Sequence, residues 1–510
     1  MVDVTFERYL TGGIRLAANK TASTEEPILR GFIPPLLVIG LHQHGGTSAV
    51  PIVAVGQKVA KGEPIALPGA PPSTGVHASS SGRVRAIEER LIPTGTKLRA
   101  SLCIVIETDG EDRRFEGGPH DPWPESREVR IERVRLAGIA GLGGAAFPTA
   151  TKLEAVAGTC KVLIVNGAEC EPYISCDDML MREAPAEIVA GVIRMADLVA
   201  APRVIIAIER DKPRALEAMR KAVTAAGDPR LAICEIPTVY PAGGERQLIE
   251  LLTGEEVPSG AYPSSIGYVC QNVGTAYAIE RLAARGEPLT SRIVTVTGGG
   301  VARPRNVEVP IGTPIHYLIE QCGGYRRNVV RLIHGGSMMG YALPADDLPT
   351  TKATSCIIAA AEGEVRESFE EWACIRCGDC ASVCPARLQP QELLTAAAAR
   401  DFDDLEALGL DDCIECGCCD VVCPSHIVLT ERFRGAKRAF AEHARRLALS
   451  AEAEERHKRR ERRLKQIEED RRAAQEALKA KLRADEEARR RAVAAAVERA
   501  RQRKRRDAEP

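Results

Sequence analysis

Eight of the chain's 17 cysteines fall in two short runs with one shared spacing, and that pattern dictates what the surrounding segment can become. The first run, CIRCGDCASVCP, places Cys374, Cys377, Cys380 and Cys384 before Pro385; the second, CIECGCCDVVCP, places Cys413, Cys416, Cys419 and Cys423 before Pro424. Both read C-x2-C-x2-C-x3-C-P, in which three close thiolates hold one [4Fe–4S] cube and the fourth reaches across to a second. Gly378 and Gly417 lie where a short loop must bend around a cube, and the proline turns the chain away. Zinc sites rarely place a third cysteine two residues on and a fourth before proline, twice over. The usual crossing assigns Cys374, Cys377, Cys380 and Cys423 to one cluster and Cys413, Cys416, Cys419 and Cys384 to the other. Cys418, placed where the first run has Asp379, reads as a spare thiol. The other eight (Cys103, Cys160, Cys170, Cys176, Cys234, Cys270, Cys322 and Cys356) lack metal-like spacing and read as small core residues. A chain with two such centres moves electrons one at a time.

With 510 residues there is room for three or four domains, each with its own core. The opening MVDVTFERYL carries an acid and lacks the apolar run of a secretory signal, which together with iron–sulfur ligands argues for a reducing compartment. The longest uncharged stretch, residues 31–57, is interrupted by Pro34, Pro35, Gly45, Gly46 and Pro51, so it is not the ~20-residue apolar helix a bilayer needs. Any membrane attachment is expected to be peripheral. The net charge of −1 conceals a basic tail, because residues 451–510 hold 21 Lys or Arg against 14 Asp or Glu. That tail has no glycine and repeats acid-to-base pairs four residues apart, such as Glu468 with Arg472 and Glu486 with Arg490, which support a solvated helix. Its apolar residues are too sparse for a sustained heptad seam, and its mixed charge argues against nucleic-acid binding.

Upstream, the segment VPIVAVGQKVAKGEPIALPG followed by HASSSGRVRAI resembles the barrel-sandwich fold of biotinyl and lipoyl carriers. Such carriers attach their arm to a lysine on an exposed hairpin. No lysine lies between Lys61 and Lys97, so an unmodified relative is expected. His42, His44 and His77 are read as solvent or core residues, since no acid or cysteine pattern accompanies them. From about Glu132 helices and strands alternate: a helix begins near Pro148, VLIVN (Val162–Asn166) is a buried strand, Lys212–Ala226 is helical, CEIP (Cys234–Pro237) is a short strand, and Glu245–Thr253 is helical. At the start of this region lies GIAGLGGAAFPTATKL, Gly138–Leu153, a glycine-rich loop feeding a helix N-terminus, which suits a phosphate. NGAECEPYISCDD then follows a strand end, where α/β proteins bind ligands.

Together with YPAGGERQLIE from Tyr240 and QNVGT from Gln271, these loops resemble, in order, the flavin- and NADH-binding subunit of respiratory complex I, whose motifs read roughly RGGAGFPTGxKW, NADESEP, YxxGEE and VNNVET. The resemblance implies noncovalent FMN, with Gly141, Gly143, Gly144 and Lys152 holding its phosphate and ring, and Asn166, Glu169 and Asn272 falling on the family's loop residues. Glu171 and Glu245 would border NAD(H). Leu142 stands where that motif has arginine, Ala168 where it has aspartate, and Gly244 where it has the first glutamate of GEE. TVTGGGVARPRNVEVPIGTPIHYLIEQCGG, Thr295–Gly324, resembles the small β-grasp domain that follows the flavin domain in the same family.

The expected architecture is an α/β Rossmann-like flavin domain (130–285) flanked by an all-β barrel-sandwich domain (1–110), a β-grasp domain (290–345), a helical two-[4Fe–4S] ferredoxin-like domain (365–435) and a long charged C-terminal helix (440–510). This order is similar to that of the RnfC/RsxC family, which belongs to the Rnf/Rsx ion-translocating electron transport complex, over about residues 5–435. That resemblance implies a peripheral subunit on the cytoplasmic face of the inner membrane, with integral membrane subunits and an iron–sulfur subunit as partners. It further implies ferredoxin:NAD+ oxidoreductase activity, with ferredoxin reached indirectly and no residue needed as general acid or base. Two alternatives share these parts. A cobalamin reductase of the microcompartment type is expected to carry its barrel-sandwich segment elsewhere in the chain, and a non-enzymatic iron–sulfur wire would leave the flavin site empty.

Overall fold

The computed structural model describes residues 3–4, 10–118, 123–156, 158–326, 328–365 and 369–506. Most of the opening segment, residues 1–2 and 5–9, and the last four residues of the tail lie outside that set. Five parallel strands form the central sheet, in the order Asp3–Val4, Leu231–Ile236, Val204–Glu209, Val162–Gly167, Tyr268–Asn272. Their apolar runs are buried because helices cover both faces. Leu163 and Val165 point into the core beneath helices Pro185–Val199, Pro213–Ala226 and Val273–Arg285, whereas Val162 and Ile164 face the core beneath Glu245–Thr253. Gly191 lets two of these helices meet backbone to backbone, since a Cβ there would come 1.9 Å from the carbonyl oxygen of Ala276. From Val162–Gly167 the chain steps outward through two neighbouring strands and then returns to the opposite flank for Tyr268–Asn272. Strand order therefore reverses beside Asn166 and Asn272, which are register partners at the carboxyl ends of their strands. A crevice at such a reversal is where open parallel sheets take ligands.

The β-rich N-terminal region consists of an antiparallel sheet of Leu36–Gly40, Leu98–Thr108, Gly82–Pro93 and Lys58–Val59, and a smaller one of Val50–Pro51, Pro64–Leu67 and Val76–His77. Leu37, Ile39, Val84, Ile104 and Ile106 from the first meet Ile65, Ala66 and Val76 from the second in one core. Burial pushes the His44 and His77 imidazoles down to about 3, so both are neutral structural groups. A third sheet, of mixed direction, orders Arg305–Pro310, Ser291–Thr297, Cys356–Ala361, Val329–His334 and Tyr341–Leu343, with helix Ile315–Gln321 in its core. Its central strand lies beyond residue 345, where the sequence reading closes the domain. That reading stops short because residues 346–365 carry no motif, although Cys356–Ala361 is wholly buried.

Residues 13–29 also depart from the expected boundaries. Instead of joining the β sandwich they run as an extended strap across three other parts of the protein. The Gly13 amide donates to the Val383 carbonyl at 2.9 Å, Ile14 and Tyr240 exchange backbone hydrogen bonds at 2.8 and 2.9 Å, and the Tyr173 amide donates to Ala18 at 2.9 Å. Further along, Asn306 donates its side-chain amide to Ser23, and its carbonyl accepts from Leu29. Gly12, at φ +68°, passes so close to the cysteine segment that a Cβ would sit 2.6 Å from the Cys384 carbonyl oxygen.

The cysteine segment is built from short helices, Asp379–Ser382, Pro390–Ala399, Phe402–Ala407 and Cys418–Val422, around the buried side chains of Leu393, Leu405 and Phe433. Both runs repeat one backbone path, with positive φ at Arg376 and Glu415, at Gly378 and Gly417, and at Arg387 and His426. A continuous helix, Leu429–Arg506, follows. Residues 435–510 form a separate compact unit, in which Glu468–Arg472 and Glu486–Arg490 pair at 3.4 and 3.2 Å. No helix among the described residues is long and apolar enough to cross a membrane.

Candidate functional site

At the reversal of strand order lies a cavity of about 500 Å³. The glycine-rich loop forms one wall through Gly141, Gly143 and Phe147, the strand ends contribute Asn166, Gln271 and Asn272, and the loop before helix Glu245–Thr253 contributes Tyr240, Gly243 and Gly244. Of the nine cofactor residues expected from sequence, eight line this space: Gly141, Gly143, Lys152, Asn166, Glu169, Glu171, Glu245 and Asn272. Gly144 does not. It supplies the turn behind them, at φ +105°.

What these side chains do differs from one to the next. Lys152 donates to Glu245 at 2.7 Å and to the Cys270 carbonyl at 3.4 Å, so an ion pair spans the wall. Asn166 ties its strand end to the neighbouring loop, donating to the Gly243 carbonyl at 2.9 Å while accepting from the Ala168 amide at 2.9 Å. Asn272 caps helix Val273–Arg285 by accepting from Gly274 at 2.8 Å and donates to Asp177 at 2.6 Å. Glu169 is buried and accepts from the Asp177 and Asp178 amides at 2.9 and 3.3 Å, placing a carboxylate at the N-terminus of helix Cys176–Glu183. Burial raises its pKa despite Lys20 and Lys212 nearby. Asp177, which sequence reasoning did not single out, is pushed up to about 7 by burial and then by Glu169.

Glu171, expected to face the nicotinamide, commits both oxygens elsewhere: it accepts from Met338 at 3.0 Å and Met339 at 2.8 Å. Burial pushes its pKa up and the two amides pull it back. It thus fastens the loop between Val329–His334 and Tyr341–Leu343 to the cavity wall, where Met339 also lies. No local pattern could have revealed a contact between residues so far apart in sequence.

The cysteines separate into two cages. Cys374, Cys377, Cys380 and Cys423 line one small pocket; Cys384, Cys413, Cys416 and Cys419 line another. Each presents four thiols, the donor set a [4Fe–4S] cube requires. Cys374 and Cys377 are exposed, whereas Cys416 and Cys419 are buried, which makes the first cage the outer one. Cys418 also borders the inner cage, where its thiol hydrogen-bonds the Cys416 sulfur and lies 3.9 Å from the Tyr240 carbonyl. The inner cage and the large cavity share a wall, because Ile414 lines both. Tyr240 bridges the same boundary, its hydroxyl donating to the Cys416 carbonyl at 2.7 Å.

The cavity offers what a phosphorylated, polar-edged ring system needs. Among the described residues the amides of Gly143, Gly144 and Ala145 donate to no protein group, and the Gln271 side-chain nitrogen is buried on the wall with no partner. The buried Gln271 nitrogen is costly unless a ligand satisfies it, and the three loop amides are free to donate to an anion. The donors present therefore fit FMN.

Comparison with known proteins follows the same division. Residues 8–111 match the family described as RnfC barrel sandwich hybrid domain, residues 134–281 the Nuo51 FMN-binding domain, residues 293–342 the SLBB domain, and residues 363–427 the 4Fe-4S dicluster domain. The C subunit of the ion-translocating oxidoreductase complex of Pseudomonas aeruginosa is 45% identical over 91% of this chain and 60% of its own length. Its namesake from Vibrio cholerae is 43% identical over 79% of this chain and 52% of its own, and that from Cronobacter sakazakii 43% over 86% and 56%. The chain thus spans little more than half the length of these relatives. Among solved structures, an NAD+-reducing [NiFe]-hydrogenase in the H2-reduced state aligns with 21% identity and a TM-score of 0.43, covering 63% of this chain and 62% of that one, too loose a likeness to bear on function. With residues 8–111 matching the RnfC barrel sandwich hybrid domain and relatives 43–45% identical over 79–91% of its length, the chain belongs to the RnfC family of ion-translocating oxidoreductase subunits.

Proposed function

We propose that this protein is the peripheral subunit through which a membrane-bound, ion-translocating complex exchanges electrons with NAD(H), in ferredoxin:NAD+ oxidoreductase activity. FMN is held noncovalently in the cavity, and one [4Fe–4S] cluster sits in each cysteine cage. When bound, FMN exchanges two electrons with NAD(H) as hydride and passes them on singly, which joins a nicotinamide to an iron–sulfur centre. The observation that carries this reading is the shared wall: Ile414 borders both the cavity and the inner cage, so the two kinds of redox centre are neighbours.

The residues divide the work. The amides of Gly143–Ala145 suit the phosphate, Asn166 and Asn272 fix the two strand ends, and the Lys152–Glu245 pair offers a cation to a flavin and an acid to a ribose or nicotinamide. Glu171 holds the Met338–Met339 loop over the site. Buried Tyr240 and half-buried Ile414 separate the cavity from the inner cage, and the exposed Cys374 and Cys377 put the outer cage within reach of a partner. That partner belongs to the iron–sulfur or integral membrane subunits of the complex, on the cytoplasmic side of the inner membrane.

Anaerobic purification with iron and flavin analysis, followed by NADH titration, tests the proposal. About eight irons and one FMN per chain are expected, with bleaching of both flavin and cluster absorbance by NADH. Protein that holds iron but no flavin would leave only an electron wire, and loaded protein that NADH fails to reduce would overturn the assigned donor.

A further inference from the structure

Leu142 occupies the position at which the resembled flavin motif has arginine, yet a guanidinium still reaches that point of the loop. Arg292, from the second strand of the mixed sheet, donates to the Leu142 carbonyl at 3.1 Å and also to the Lys352 carbonyl. On the other side, the Leu142 amide donates to the Thr275 hydroxyl at 3.0 Å. Arg292 is 4% exposed and Thr275 0%, so residue 142 is pinned from both directions by buried groups.

The peptide plane converts this pinning into a direction. In a trans peptide the carbonyl and the following N–H point opposite ways. With the Leu142 carbonyl committed to Arg292 in the interior, the Gly143 N–H is aimed away from it, and Gly143 lines the cavity. Gly144 and Ala145 follow with amides that likewise donate to no protein group among the described residues. Successive unspent amides of this kind form an anion-binding concavity. Among the described residues Arg292 has no carboxylate within salt-bridge distance: its guanidinium donates to carbonyls and hydrogen-bonds the Cys176 sulfur, a group that burial keeps as the neutral thiol, and Asp177 acts on it only from further off. A buried cation without a close counter-ion is costly, and an anion on the far side of the loop supplies one.

We propose that Arg292 and Thr275 are positioning residues for a phosphate monoester: they orient the Gly143–Ala145 amides toward it, and the Arg292 charge favours the dianion over a neutral ligand. This rests on the FMN reading and adds to it the source of phosphate selectivity. Leu142 can replace the motif's arginine because Arg292 supplies the charge from another strand.

The test compares FMN with riboflavin, which differ only in the phosphate. Flavin is removed from anaerobically purified full-length protein and each compound is titrated back by fluorescence quenching, with iron content and circular dichroism confirming that the fold is intact. Arg292→Met should weaken FMN binding at least tenfold while changing riboflavin binding less than twofold. Arg292→Lys, which keeps the charge, should retain part of the preference for FMN, and Thr275→Val should lose FMN affinity selectively while Thr275→Ser restores it. Equal loss of both flavins in Arg292→Lys and Thr275→Val would show a merely structural role and overturn the proposal while leaving the cofactor assignment standing. A wild type that binds neither flavin would overturn the cofactor and this proposal together.

Discussion

The hydroxyl of Tyr240 donates to the carbonyl of Cys416 at 2.7 Å, so the wall of the cavity and the backbone of the inner cage are held by one hydrogen bond. Tyr240 is 3% exposed, and removing its hydroxyl leaves that carbonyl without the donor. Tyr240→Phe is therefore expected to cost about 1–3 kcal/mol. The measurable result is faster loss of four irons to a chelator, with the outer cluster and flavin retained. Iron release at the wild-type rate would show that the bond does not support the cage.

Cys384 and Cys423 each close the cage formed mainly by the other run. Cys384→Ala should perturb the inner cluster and Cys423→Ala the outer, with Cys418→Ser keeping all its iron. Electron paramagnetic resonance of the reduced variants distinguishes the two. Loss of the same signal in both alanine variants would refute the crossed cages.

Glu171 and Lys152 line one cavity but act on different neighbours, so their variants should diverge. Glu171→Gln weakens the charge-assisted bonds to Met338 and Met339, loosening their loop by about 1–3 kcal/mol, and should alter the apparent KM for NADH with flavin still bound. Lys152→Ala should release flavin more readily. If both variants lost flavin to the same degree, the two residues would share one role.

Lys352 predicts a pH dependence of stability. It is wholly buried, donates to the Gly75 and Gly138 carbonyls at 2.9 and 2.7 Å, and is pushed by burial from 10.5 down to about 7. Between those values the unfolded chain binds the extra proton, so this contribution to stability rises with pH from about 7 to about 10.5 and is flat below, with a slope of up to about 1.4 kcal/mol per pH unit. His44 and His77, already neutral, add no slope in that range. Denaturation midpoints at pH 7 and pH 9 should separate for the wild type and converge for Lys352→Met. Parallel shifts in both proteins would assign the dependence to other groups.

Sequence made most of the redox parts legible because their signals are local. The cysteine spacing, the glycine loop and helix Glu245–Thr253 are each decided within about a dozen residues, and the structure places the two helices Pro213–Ala226 and Glu245–Thr253 within a residue of their expected ends. What sequence did not reveal joins residues far apart in the chain. Arg292 on Leu142, Glu171 on Met338 and Tyr240 on Cys416 have no periodicity to announce them. Strand Cys356–Ala361 was missed for a related reason: a short apolar run between two motifs acquires its identity only from the strands it pairs with.

The strap formed by residues 13–29 sets an order of events during synthesis. Its partners include Tyr240, Asn306 and Val383, all made long after it. A chain emerging from the ribosome presents Gly13 and Ile14 early, yet cannot seat Ile14 until Tyr240, or Gly13 until Val383, has been translated. Residues 13–29 are thus made early and secured late, and their seating reports that three later parts of the chain are in place.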